Sequence, residues 1–283
     1  MSVDVIAKKE FEDAVRSRWL LALAGLFVLT ATAFMLIGAQ FLGSGERNTF
    51  TSSVVLQFMN GGFTTGLVPL IALVIAYSAV VGERQSGSLK LLLSLPHSRA
   101  DVVAGKVIGR TAAVAVPLFF GFLLPALIAA LGPLQFALLE YVGYLLLMIL
   151  LAAMYVAIAV GFSASTASGT VAVAGAVGVY FFFTIVLGGI TGAIPFVFGL
   201  GGAPDWLPIT VGELQLVLRL LNPSGAFKIV SGEFLRGTLF ATATAASEQR
   251  YVFSTEISAL VMQAAWVLLP PLLGLLRFEN TDL

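Results

Sequence analysis

Five stretches of this chain carry no Lys, Arg, Asp or Glu: residues 19–45, 48–82, 111–139, 141–204 and 257–276, which are 27, 35, 29, 64 and 20 residues long. An ionised side chain at the centre of a bilayer costs at least ~2.5–3.5 kcal/mol on insertion scales, so such runs are what a lipid-embedded segment requires. One crossing takes roughly 20 apolar residues. The longest run therefore holds two crossings, parted at the polar Ser163, Ser165, Thr166 and Ser168. The expected fold is an all-α membrane protein of six transmembrane helices near 19–42, 60–82, 107–131, 138–162, 170–199 and 257–276, read as one domain over 1–283.

Composition excludes the soluble alternative. The chain is 59% hydrophobic and 11% charged, against about 25% charged in soluble domains, which leaves too little polar surface to cover a core. Six crossings put both termini on one side. Taking that side as cytoplasm places Lys8, Lys9, Arg16, Arg18, Arg84, Lys90, Arg99, Lys106, Arg110 and Arg277 inside, and leaves Arg47, Arg219, Lys228, Arg236 and Arg250 outside. The inside excess of Lys and Arg favours this orientation in the plasma or inner membrane. The 27 uncharged residues of the first run exceed the ~7–15 apolar residues of a signal peptide, so this helix is expected to be retained.

Ahead of the first crossing, Val3, Ile6, Ala7, Phe11, Ala14 and Val15 recur at helical spacing opposite Asp4, Lys8, Lys9, Glu12, Asp13 and Arg16. This pattern predicts an amphipathic interfacial helix over 1–18, ended by Trp19 at the headgroups. The outside connection 200–256 is the long one, with helical patterning in Leu214, Val217, Leu218 and Leu221, a stop at Asn222 and Pro223, and a further short helix over 226–235. These apolar faces are expected to rest on the outer mouth of the crossings. Gly62 and Gly66, Gly105 and Gly109, and Gly188 and Gly192 form small-xxx-small pairs suited to helix packing.

Residues able to carry chemistry are few. Cysteine is absent, which rules out disulfides and thiolate sites. No Gly-x-x-x-x-Gly-Lys-Ser/Thr phosphate loop is present, since Gly105 and Lys106 are followed by Val107 and preceded by Ala100 at the first glycine position. The single histidine, His97, lies in a polar turn without companion ligands. Within the crossings Glu140 is the one carboxylate candidate for ion coupling, and its place at a helix end reads as interfacial. The chain is therefore expected to be no enzyme, to hold no cofactor or metal, and to bind no nucleic acid.

Work can enter at 82–110. Leu89, Leu92, Leu93 and Pro96 follow i, i+3, i+4, i+7 spacing, so a short cytosolic helix has one apolar ridge suited to a groove on a partner, while Arg84, Gln85, Ser88 and Lys90 solvate the rest. Ser98 to Asp101 has the form of a capping box that starts the helix into the third crossing. These ordered features, with the leader Lys8-Lys9-Glu10-Phe11 to Arg16-Ser17-Arg18-Trp19 and the run Gly82 to Pro96 followed by Gly105-Lys106, resemble the type-2 ATP-binding-cassette exporter permeases over essentially the whole chain. The leader and Leu221-Asn222-Pro223 most resemble the membrane subunit of transporters that mature nitrous oxide reductase.

The resemblance implies a homodimer of permeases in the bilayer, with separate ABC ATPase subunits that bind ATP and Mg. It implies that 83–99 is a coupling helix seated on the ATPase, through Glu83, Arg84, Ser86, Gly87, Leu89, Leu92, Leu93, Leu95 and Pro96. Trp206, Arg219, Asn222 and Pro223 become candidates for an extracytoplasmic gate. The leading expectation is export driven by the partner ATPases. The alternative is transmission of their motion to an extracytoplasmic accessory protein, with little or no transport, as in metalloenzyme maturation.

Overall fold

In the computed structural model the described residues are 2–42, 51–132, 134–201, 210–236 and 255–280. The candidate gate residue Trp206, the loop at 43–50 and the segment 237–254 lie outside them. The described residues form helices α1 (Ser2–Val15), α2 (Arg18–Leu42), α3 (Ser52–Gly61), α4 (Phe63–Ala76), α5 (Val81–Ser86), α6 (Ser88–Ser94), α7 (Arg99–Leu131), α8 (Leu138–Ser165), α9 (Gly169–Phe181), a π-helical turn (Phe182–Leu187), α10 (Gly188–Gly201), α11 (Val211–Leu221), α12 (Pro223–Leu235) and α13 (Thr255–Glu279). Six helical stretches are long and apolar enough to cross a membrane: Arg18–Phe41, Phe63–Ser86, Arg99–Leu131, Leu138–Ser165, Gly169–Phe198 and Glu256–Glu279. The protein is an all-α membrane protein of six such crossings.

Local chemistry sets the ends of these helices. Ser98 Oγ accepts from the Asp101 N–H and the Asp101 carboxylate accepts from the Ser98 N–H, both at 3.0 Å, so α7 begins at Arg99 and lifts the third crossing clear of the charged end. The second crossing is less regular than its apolar run suggests. It stops at Ala76 and resumes at Val81. The freed N–H groups of Val80 and Val81 both donate to Ser163 Oγ at 3.0 Å, which satisfies backbone that lipid could not. Ser163, expected only to part the fourth and fifth crossings, also holds the second together.

Helix α8 is the centre of the packing, buried along much of its length and in contact with α4, α7, α12 and α13. Tyr144 and Tyr155 are fully buried on it, and their hydroxyls pair with Thr64 at 2.7 Å and Ser224 at 2.8 Å. It meets the backbone of α13 directly: a Cβ at Gly161 would lie 2.3 Å from the Pro270 carbonyl oxygen, and one at Gly274 would lie 2.4 Å from the Gly161 carbonyl oxygen. Of the three small-residue pairs in the sequence, Gly105 and Gly109 are a true helix contact. There a Cβ would meet Ile6 at 2.7 Å or the Ala7 carbonyl oxygen at 2.4 Å. At Gly62 and Gly192 an added methyl would meet nothing within 4 Å.

Contacts sort the connections into two ends. At one, α1 packs on the start of α7, Gln85 donates to the Ala167 carbonyl, and Arg99 reaches the Phe278 and Glu279 carbonyls. At the other, Ser52 donates to the Gln135 carbonyl and α12 packs on α3. The α11–α12 hairpin corrects the expectation that it rests on the outer mouth. Phe234 packs on Gly143 near the start of α8, whereas Ser224 bonds Tyr155 well along the same helix. The hairpin therefore dips between the crossings with its tip at Asn222, buried in protein as irregular backbone at that depth must be.

The tight α8–α13 seam yields a direct test. Gly161→Ala should lower stability by ~1–3 kcal/mol, the usual range for overpacking, because the obstructing atom is backbone. Gly178→Ala, in open space, should be neutral or slightly stabilising. Unfolding of both variants in mixed micelles checks the contrast.

Candidate functional site

The charged end is built around a buried cluster of ions. Lys106, fully buried on α7, donates to Glu10 of α1 at 2.6 Å and forms an ion pair with Glu83 of α5 at 2.8 Å. Arg110 bonds the second Glu10 oxygen at 2.8 Å and the Ile75 carbonyl at 2.7 Å, and Lys9 bonds Glu83 at 2.5 Å. Three elements distant in sequence are thereby joined: the leader, the end of the second crossing and the start of the third. Burial alone would raise the Glu10 carboxyl, but the charges of Lys106 and then Arg110 overcome it and hold the group at about 2. Burial works against the charge of Lys9 as well, yet Glu83 keeps its ammonium above the ordinary lysine range.

The segment 81–94 folds as a two-helix turn on this cluster. Gly87 adopts φ 77°, a left-handed conformation that other residues take at a cost, and lets α5 reverse into α6. Ser86 Oγ donates to the Glu83 carbonyl at 3.2 Å and lies 2.9 Å from Ser88 Oγ, which closes the turn. Arg84 and Arg99 flank the Phe278 ring, with guanidinium carbons 5.4 and 4.9 Å from its centroid.

The expected docking ridge needs correction. Leu89 is buried in the core and Leu92 and Leu93 pack against it, so these three hold the turn to the crossings and do not form an open ridge. The apolar surface that faces outward is Leu91 (72% exposed) and Leu95 (54% exposed), beside exposed Lys90 and Pro96. The 3.6-residue period holds, but periodicity does not say which face meets solvent. Sequence reasoning alone does not pair Glu10 with Lys106. The signal that could have done so is that Glu10 lies one turn from Ile6 and Ala14 on the apolar side of the leader, and that Lys106 lies between the apolar Val102, Val103 and Val107.

At the opposite end Asn222 is both cap and clasp. Its side-chain oxygen accepts from the N–H groups of Ser224 (3.0 Å) and Gly225 (3.3 Å), and its amide donates to the Phe183 carbonyl at 2.8 Å. That carbonyl belongs to the π-helical turn, where a widened hydrogen-bond ladder makes carbonyls available. Pro223 at the first turn of α12 needs no N–H partner. Arg219 stands one turn before Asn222, so three of the four gate candidates meet at the hairpin tip. Gln215 donates to the Thr191 carbonyl at 3.1 Å and ties α11 to α10. Among the described residues no group of three metal-ligating side chains occurs.

A family model described as ABC-2 family transporter protein matches residues 5–283. The chain is 32% identical over 233 residues to a protein of Stutzerimonas stutzeri named "Probable ABC transporter permease protein NosY", covering 80% of this chain and 79% of the relative. It is 33% identical over 230 residues to a Pseudomonas aeruginosa protein of the same name, covering 80% of each.

The ion cluster predicts a strong effect of substitution. Glu10→Ala leaves Lys106 buried with one carboxylate fewer and should cost ~3–5 kcal/mol, the range for breaking a buried pair. Lys9→Ala, half exposed, should cost under ~1 kcal/mol. Because the folded Glu10 carboxyl titrates below its unfolded value, its contribution is full above pH ~4.5 and is lost as pH falls toward ~2. Unfolding midpoints of wild type and Glu10→Gln across that window should converge at the acidic end.

Proposed function

The chain belongs to the ABC-2 transporter family as the membrane subunit of an ABC transporter, and we propose that it couples ATP hydrolysis by separate nucleotide-binding subunits to export across the cell membrane. The observation that supports this reading is the two-helix turn α5–α6. It presents Leu91 and Leu95 outward while its inner face is locked to the leader and the third crossing through Leu89 and Glu83. A rigid body that links three elements and shows an apolar tip suits a groove on a moving ATPase. In this reading Arg84, Ser86, Gly87, Leu92, Leu93 and Pro96 shape and hold the turn, and ATP and Mg reside on the partner.

The permease acts as a homodimer with both termini cytoplasmic, so each ATPase meets one turn. Force transmission to an extracytoplasmic accessory protein is a second reading. It is favoured by the hairpin, which is fastened to the fourth crossing by Tyr155 and Ser224 and to the fifth by Asn222 and Phe183, so that motion of either crossing moves its tip.

Two experiments test the proposal. Leu91→Asp and Leu95→Asp place a charge where a groove would desolvate it, at ~2 kcal/mol or more if unpaired. They should abolish co-purification of the ATPase or stimulation of its turnover while leaving the permease folded, and wild-type ATPase recovery with both variants would exclude the turn as the docking surface. Orientation is read with cysteines, since the chain has none. Ser98→Cys should label from the cytoplasmic face and Gly212→Cys from the other, and labelling of both from one face would overturn the topology.

A further inference from the structure

Between the dipping hairpin and the fifth crossing lies a cavity of about 900 Å³. Its walls come from the end of α3, the π-helical turn and α10, and α11 and α12. Three basic residues line it, Arg219, Lys228 and Arg236, with Glu233 as the acidic one. Glu233 is already paired with Arg236. Arg219 and Lys228 have no carboxylate partner among the described residues; Lys228 is exposed, and partial desolvation at the cavity wall with the nearby charge of Arg219 disfavours its charged form.

Both side chains are exposed along the cavity wall, so two like charges face the same space. These two are also held in place. A Cβ on Gly225 would lie 2.2 Å from the Arg219 carbonyl oxygen, so the end of α11 sits tightly on α12, and the Asn222 clasp fixes both to the π-helical turn. The backbone that carries the two cations is therefore fixed at the cavity wall. Neutral donors stand nearby: the Thr184 hydroxyl and the Gln57 and Gln215 amides share the lining.

We propose that this cavity is an oxyanion-binding site, in which a phosphate, sulfate or carboxylate group sits between Arg219 and Lys228. A guanidinium matches two oxygens of such a group at once, an ammonium adds a point charge, and the amides and hydroxyl take remaining oxygens, a set of donors that a halide would use poorly. The volume exceeds one inorganic oxyanion and lies near the upper end of small-molecule sites, so the group is carried on an organic body. That body is an anionic lipid headgroup or a solute. The inference rests on the proposed permease for the purpose of binding, but binding itself is read without the ATPase.

The test uses the full-length chain in nanodiscs of zwitterionic lipid, titrated with inorganic phosphate and sulfate against chloride at equal ionic strength. Calorimetry reads affinity. Both oxyanions should bind in preference to chloride, and Arg219→Gln/Lys228→Gln should weaken them by about tenfold or more, as expected for lost charge-assisted hydrogen bonds. Glu233→Gln removes the one acidic lining residue and should tighten binding, whereas a general effect of charge on folding would not. Arg219→Lys should retain part of the affinity. Competition from added phosphatidylglycerol assigns the group to a lipid headgroup, and no competition assigns it to a solute. Absence of oxyanion binding by wild type, or equal affinity in the double variant, overturns the site whatever the outcome at the coupling turn.

Discussion

Lipid offers no partner to a peptide N–H or C=O, and every departure of this chain from straight helices is shaped by that constraint. Two of the crossings are irregular, and each irregularity is met by a specific side chain. Ser163 takes both N–H groups freed where the second crossing breaks, and Asn222 takes the carbonyl offered by the π-helical turn of the fifth. Several of the polar residues buried among the crossings satisfy a defined backbone or side-chain need. Thr64 with Tyr144 and Ser224 with Tyr155 follow the same rule. A straight-helix bundle would need none of them, but it would also have no place for a hairpin between its helices.

Charge obeys the same logic at the end that carries the α5–α6 turn. Lys106 is wholly buried, so its ammonium is tolerable only because Glu10 and Glu83 lie within 2.8 Å. A buried cluster of this kind is weak support for stability in itself, since desolvation offsets most of its attraction. Its value is geometric. The leader cannot leave the third crossing, nor can the coupling turn leave either, without stranding a charge. Small residues allow the approach that the charges require: Gly105 and Gly109 admit α1 until its carbonyl and Ile6 touch α7.

The six crossings were legible because the cost of an ion in lipid leaves charge-free runs, and the α7 start and the α11–α12 stop were legible because Ser98, Asp101, Asn222 and Pro223 act locally. What the sequence left open depends on partners far along the chain. Leu89, Leu92 and Leu93 have the right period for a ridge, yet only the fold decides that they face inward and that Leu91 faces out. Glu10 is one of three acidic residues within 10–13, and nothing local singles it out, because its buried counterions Lys106 and Arg110 lie 96 and 100 positions away. The depth of the hairpin was equally hidden, since α11 and α12 are too short to read as membrane segments and their tip is covered by other helices.

These features place the two ends of the molecule in mechanical contact. Ser163 grips the break beside the coupling turn, and Tyr155 grips the hairpin at Ser224. Both side chains stand on α8, separated by roughly 12 Å of helix at 1.5 Å per residue. A helix is stiff over that distance, so displacement of the turn need pass through one rigid element to reach the hairpin tip. The tip is where Arg219 and Asn222 meet the π-helical turn, the least regular part of the fifth crossing. A local change of ladder from π to α there would withdraw the Phe183 carbonyl from Asn222 and alter the cavity wall. The chain thus has one stiff strut between the break in the second crossing and the hairpin, and that strut ends beside the π-helical turn.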